Sequence, residues 1–218
     1  MRIILLIFAT LSINIANAQF VKKTKTINVI PDNAKIMISG VEVATGTYNV
    51  NIGKEDYVLL KLTAPGYIEK TVKILKSDKN KSLTFTLEID EAYTASETSS
   101  DLANKPMRIS LKEGMSIDEA WKRITYYISN DFPNIEIMDK SAGWIRSTWN
   151  IDRFNHYTIR TRIEVKEIPG TVNGTEYKVT LQSEIGNKNC SKDQCFSEWD
   201  RVLKKYKKSI EVLLNSLN

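Results

Sequence analysis

Histidine is nearly absent from this chain of 218 residues: His156 is the only one, and cysteine is limited to Cys190 and Cys195. A structural zinc site wants four nitrogen or sulfur ligands. One histidine far in sequence from one cysteine pair does not supply them, so no metal is expected. Glycine is sparse at 9 residues, and no glycine-rich phosphate loop follows a strand into a helix. Catalysis needs a nucleophile or a metal beside a positioned acid or base. His156 stands beside Asn155 in a loop between strands, and no carboxylate pair sits in a recognisable motif. The expectation is therefore no catalytic residue, no cofactor and no enzyme.

Long apolar runs are also missing, with one exception at the N-terminus. Met1-Arg2 is followed by Ile3-Ile4-Leu5-Leu6-Ile7-Phe8-Ala9-Thr10-Leu11, which polar Ser12 and Asn14 interrupt. A membrane-spanning helix needs roughly 20 apolar residues, so this run is too short. Ala16-Asn17-Ala18 supplies the small-x-small pattern of a signal peptidase site. We expect residues 1–18 to be a signal peptide cleaved after Ala18, with no transmembrane segment in the mature chain. No cysteine follows the apolar run to take a lipid anchor. The expected location is periplasmic or extracellular.

Charge of one sign is not in large excess: 31 basic residues face 26 acidic ones, for a net +5. Such a balance permits weak attraction to anionic lipid head groups, glycans or acidic proteins and does not call for nucleic acid. Export argues against nucleic acid as well. In an oxidising compartment, Cys190 and Cys195 in a polar loop read as a local disulfide. Its expected job is to fix the entry into the helix that follows.

From Lys25 to about Ile89, short strands alternate with turns. Leu83, Phe85, Leu87 and Ile89 alternate with Thr84, Thr86 and Glu88, and Ile36/Ile38 and Val72/Ile74 repeat the pattern. Period two marks half-buried strands, and their spacing points to a small all-β sandwich over residues 19–90. Pro31-Asp32-Asn33-Ala34, the strand Lys35-Ile36-Met37-Ile38 with its Ser39-Gly40 turn, Gly46-Thr47 and Pro65-Gly66-Tyr67 resemble the landmarks of the PEGA domain. The resemblance implies a β-sandwich of envelope and surface proteins, used as a spacer or binding module. An unrelated small sandwich is the other reading.

Residues 91–106 lose apolar periodicity and are acidic and rich in Ser and Thr, a composition that favours solvated linker. Residues 107–218 then read as an α+β domain of helix, antiparallel sheet and helix. Ser116-Ile117-Asp118-Glu119 is a capping box, followed by Ile117, Ala120, Trp121, Ile124, Tyr127 and Ile128 on one helical face. Strands are expected at Ile135–Met138, Trp144–Trp149 and Tyr157–Ile168, with a turn at Pro169–Gly174 leading into Tyr177, Val179 and Leu181. A final helix is expected from Ser197, carrying Trp199, Leu203, Tyr206, Ile210, Leu213 and Leu217 as its stripe. Ile117–Ile124, with Ala120-Trp121, and Ile137–Ile145, ending in Asp139-x-x-x-Gly143-Trp144, resemble the helix-grip domain of the BamC-type outer-membrane lipoproteins.

On Tyr157–Ile168, alternation puts Tyr157, Ile159, Ile163 and Val165 toward the helices and Arg160, Arg162 and Lys166 away from them. Lys178 on the next strand joins them, and Arg146 is a further candidate. These cations could bind an anionic glycan, a lipid head group or an acidic protein surface. A solvated face balanced by Glu164 and Gln182 is the alternative. Trp144 and Trp149 could stack on sugars or pack in the core. The leader makes the first prediction: mass spectrometry of the exported protein should find Gln19 at its N-terminus, and residues 1–18 still attached would overturn the expectation.

Overall fold

The structure is a computed structural model that describes residues 23–98, 101–171 and 174–217. The expected leader and its cleavage site at Ala18 lie outside the described residues. The chain divides into two compact units, the first running to Pro65 and resuming over Glu69–Leu87, the second comprising Gly66–Ile68 and Glu88–Asn218. The fold class is the expected one: a small all-β sandwich, then an α+β unit.

The sandwich holds strands β1 (Lys23–Ile30), β2 (Lys35–Ile38), β3 (Val41–Thr45), β4 (Thr47–Ile52), β5 (Tyr57–Thr63), β6 (Lys70–Leu75) and β7 (Ser82–Thr86). They form a three-stranded sheet in the order β4-β1-β7 and a four-stranded sheet in the order β3-β2-β5-β6. Alternating residues of both sheets, among them Ile27, Ile36, Val50, Leu60, Val72 and Ile74, are buried, as two facing sheets require. Gly46 sits at φ +70°, and a Cβ there would lie 2.2 Å from the Asp32 carbonyl oxygen, so only glycine fits that close approach. Period two also carries Lys25 inward. Burying an ammonium is costly unless it is satisfied; Lys25 Nζ donates to the carbonyls of Asp78 at 2.9 Å and Asn80 at 3.0 Å. Ile89 does not continue the last strand, which stops at Thr86, and its side chain is 57% exposed.

In the second unit the elements are α1 (Glu91–Thr94), β8 (Ser96–Thr98), β9 (Pro106–Ser110), α2 (Ile117–Asp131), β10 (Ile135–Asp139), β11 (Trp144–Ser147), β12 (Asn150–Arg153), β13 (Tyr157–Thr171), β14 (Gly174–Asn187), β15 (Ser197–Glu198), β16 (Arg201–Leu203) and α3 (Lys204–Leu217). A seven-stranded antiparallel sheet runs β10-β11-β13-β14-β15, with β12 on β13 and β9 on β14. Helices α2 and α3 cover one face. Trp121, Ile124, Ile128, Ile210 and Leu213 pack with Ile145, Ile159, Ile163, Val165, Val179 and Leu181 in one core, and Phe132 stacks on Tyr206 at 5.0 Å.

Several expectations are corrected. Residues 91–106 are not solvated linker among their described members: Ala92, Ser96 and Ala103 are buried, and β8 pairs with β16. The cause is a residue far along the chain. Arg201 donates to Ser96 Oγ and Thr98 Oγ1, each at 2.7 Å, and to the carbonyls of Tyr93 at 3.1 Å and Ser96 at 3.0 Å. The last helix begins at Lys204, not Ser197, because Arg201, Val202 and Leu203 are buried in succession, which one helical face cannot achieve. Trp199 and Leu203 therefore leave the helical stripe. The strand expected over Trp144–Trp149 ends at Ser147 as β11, and a separate strand, β12, begins at Asn150. On α2, Ser116 Oγ accepts from the Glu119 amide at 3.2 Å, while the Glu119 carboxylate turns to Arg123 at 2.6 Å. Ile117 is 46% exposed, so the buried stripe starts at Ala120.

Tyr177 has no exposed surface, and its hydroxyl has no hydrogen-bond partner among the described residues. Burial, with Glu167 adding to it, pushes its pKa up to about 12. An unfolded tyrosine ionises near pH ~10. Between these values the unfolded chain loses the proton first, so stability must fall as pH rises through that window. In urea unfolding, the protein should lose on the order of 2 kcal/mol more than Tyr177→Phe between about pH 8 and pH 11.5. Equal losses in the two proteins would remove this assignment.

Candidate functional site

The site is built on the face of the sheet that the helices leave open. Successive side chains of a strand point to opposite faces, so the register that buries Ile159, Ile163 and Val165 turns Arg160, Arg162, Glu164 and Lys166 outward. Their partners on β14 are Glu184, Gln182, Thr180 and Lys178 in that order. From β11, Trp144 lies opposite Lys166 and Arg146 opposite Glu164, which places Arg146 on the same face. All five expected cations, Arg146, Arg160, Arg162, Lys166 and Lys178, thus share one surface.

They are not equivalent there. Arg160 is nine-tenths buried; its guanidinium pairs with Glu184 at 2.6 Å and also with Asp193. Arg162 donates to Gln182 and lies 3.9 Å from Glu136. Arg146 donates to both Glu136 oxygens, each at 3.1 Å, and Lys166 pairs with Glu164 at 2.9 Å. Burial acts to raise the Glu164 pKa, but hydrogen bonds from Lys166 and Trp144 overcome it and hold the carboxyl below its ordinary value. Burial and the neighbouring Arg146 charge lower the pKa of Arg162.

The aromatic rings serve these cations. Arg160 and Arg162 lie 4.3 and 4.2 Å from the Trp149 ring centre, and Arg160 also lies 4.2 Å from that of Phe196. Lys166 is 4.3 Å from the Trp144 ring centre, and the indole nitrogen of Trp144 donates to Glu164 at 2.8 Å. Cation–π attraction offsets part of the repulsion between neighbouring guanidinium groups. These two tryptophans do not pack in the core: they are half-buried, and the chain's own cations lie against their rings.

Cys190 and Cys195 form the expected disulfide, with a Cα separation of 5.7 Å. Its job differs from the expected one, since no helix follows directly. The loop it closes carries Asp193 and leads to Phe196, and both touch Arg160. Gly186 makes room for it: a Cβ there would lie 2.4 Å from Cys190 Sγ. His156 lies between β12 and β13, with Nε2 at 2.9 Å from Glu88.

Sequence reasoning missed Arg108. It projects from β9 directly opposite Lys178, which is itself directly opposite Lys166. Adjacent antiparallel partners stand about 4.5–5.5 Å apart, so three cations line up across three strands. Like charges directly opposite destabilise a sheet. Of the three, only Lys166 makes an ion pair with a described residue. The signal was present, since Met107 and Ile109 alternate with Arg108 and Ser110, but β9 abuts the segment that reads as linker.

No family model matches the chain, and no curated protein matches it. Among solved structures it is similar to a "putative membrane-associated protein of unknown function" from Bacteroides fragilis NCTC 9343, at 9% identity and a TM-score of 0.28, over 75% of this chain and 96% of that one. Among the described residues, no helix is long and apolar enough to cross a membrane, and no group of three His, Cys, Asp or Glu residues could hold a metal ion.

The pairings separate structural cations from available ones. Arg160→Glu would set a third carboxylate against Glu184 and Asp193, and should cost on the order of 3 kcal/mol in urea unfolding. Lys178→Glu, at a half-exposed position, should change stability by no more than about 0.5 kcal/mol. Equal effects of the two substitutions would refute the distinction.

Proposed function

We propose that this is a non-catalytic exported protein of the cell envelope. In this reading a PEGA-type sandwich is joined to a helix-grip domain of the BamC type, and the second unit binds an anionic glycan through its open sheet face. The observation that carries it is the row Lys166–Lys178–Arg108, two of whose cations have no acidic partner among the described residues. A row of cations on three neighbouring strands suits an extended polyanion. It suits a lipid surface less well, because membrane-seated faces present Trp, Phe or Leu alongside their cations. Here the neighbouring Trp144 ring is already engaged by Lys166. The disulfide supports an oxidising compartment, in keeping with the expected leader.

A glycan-processing enzyme is the reading of the other class. It would require a carboxylic acid kept protonated near neutral pH. Glu164 on this face is held in the opposite direction, and Glu136 and Glu184 are committed to arginines. Polygalacturonate, neutral dextran and phosphatidylglycerol vesicles are the discriminating probes. The protein should retain polygalacturonate alone, release no reducing ends from it, and lose capture at least tenfold in the folded double variant Lys178→Glu/Arg108→Glu. Retention of vesicles instead, unchanged capture by the variant, or turnover would each overturn the proposal.

A further inference from the structure

A second feature of the same unit lies away from the open face and was not visible in the sequence. Where β8 meets β16, a cleft of about 410 Å³ is lined by Tyr67, Ile89, Tyr93, Thr94, Arg201 and Lys204, among others. Its volume falls in the range of small-molecule sites, roughly 300–1,000 Å³. Among the described residues, none of those lining it is acidic.

The two cations there, Arg201 and Lys204, have no directly paired acid among the described residues. Arg201 is nine-tenths buried, yet its hydrogen bonds run only to neutral acceptors, the hydroxyls of Ser96 and Thr98 and the carbonyls of Tyr93 and Ser96. It forms no ion pair among the described residues, although buried charges are ordinarily paired. Its guanidinium carbon lies 3.8 Å from the centre of the Tyr93 ring. Glu97 is bound to Lys207 at 2.7 Å, the main cause of its lowered pKa, and feels Lys204 and Arg201 only as weaker, unpaired charges. Lys204 adds a second charge, and its ammonium donates to the Thr94 carbonyl at 3.0 Å. It is also the first residue of α3, whose first turn carries no acidic side chain, so the positive end of the helix dipole adds to the same region. The walls are of another character: Tyr93 is 38% and Ile89 57% exposed, leaving aromatic and aliphatic surface beside the charges.

We infer that this cleft binds a small organic anion, with a carboxylate or phosphate head set toward Lys204 and Arg201 and a compact apolar or aromatic body against Tyr67, Tyr93 and Ile89. The site is independent of the glycan-binding face. Phenyl phosphate, inorganic phosphate and phenol, titrated calorimetrically into the full chain, separate head from body. Phenyl phosphate should bind at one site, at least tenfold more tightly than either fragment. Arg201→Met risks the fold, because it frees the carbonyls of Tyr93 and Ser96; the exposed Lys204→Glu does not. Lys204→Glu should weaken phenyl phosphate tenfold or more with an unchanged unfolding curve, while Lys178→Glu/Arg108→Glu leaves it intact. Absence of binding, equal affinity for inorganic phosphate, or loss in the sheet-face variant with none in Lys204→Glu would each overturn the inference.

Discussion

The pairing of β13 with β14 is the constraint on which the rest of the second unit depends. Its register runs unbroken from Tyr157 opposite Asn187 to Ile168 opposite Glu176. A slip of one residue would exchange the two faces of a strand, sending Ile159, Ile163 and Val165 to solvent and Arg160 and Arg162 under α2 and α3. The same register that builds the core therefore sets the order of charges on the opposite side. Every other strand of the sheet joins this hairpin directly, or through β11 in the case of β10.

The outer face handles crowded like charge in two ways along its length. Near Arg160, acids arrive from β14 and from the disulfide loop, and the Trp149 and Phe196 rings lie against the guanidinium. Six residues further along β13, roughly 20 Å at strand rise, Lys166, Lys178 and Arg108 stand side by side with Glu164 as the one bound acid. The first end spends its charge on stability. The second keeps charge available, and the difference lies in which carboxylates the register delivers.

The regular parts of this fold were legible in the residues because period two and period 3.6 are local signals. The inward row of β13, the strands of the sandwich and the stripe of α2 from Ala120 follow from them directly. What was not legible depends on contacts remote in sequence. Ser96 and Thr98 look like linker until Arg201, 105 residues from Ser96, supplies the donors that bury them. The stretch Arg201-Val202-Leu203 looks helical by its apolar spacing until β8 provides a strand to pair with. Arg108 joins the cationic row only through its register with Lys178. The site was legible as a set of outward cations, but its division into paired and unpaired members was not, because Asp193 and Glu136 come from elements whose positions no local pattern gives.

The two proposed anion sites differ in the dielectric around their charges, and this sets what each would hold. Lys178 and Arg108 face solvent, where salt screens interactions beyond about 8 Å at physiological ionic strength. A single anion gains little there. Affinity has to come from several charges on one chain engaged together, as a polymer provides. Arg201 is buried, and Coulomb energy grows as the effective dielectric falls, so one well-placed anionic head in its cleft gains more per charge and depends less on salt. The exposed row thus favours a long ligand held weakly at many points. The proposed cleft would favour a short one held at two, and nothing in the chemistry of either requires the other to be filled.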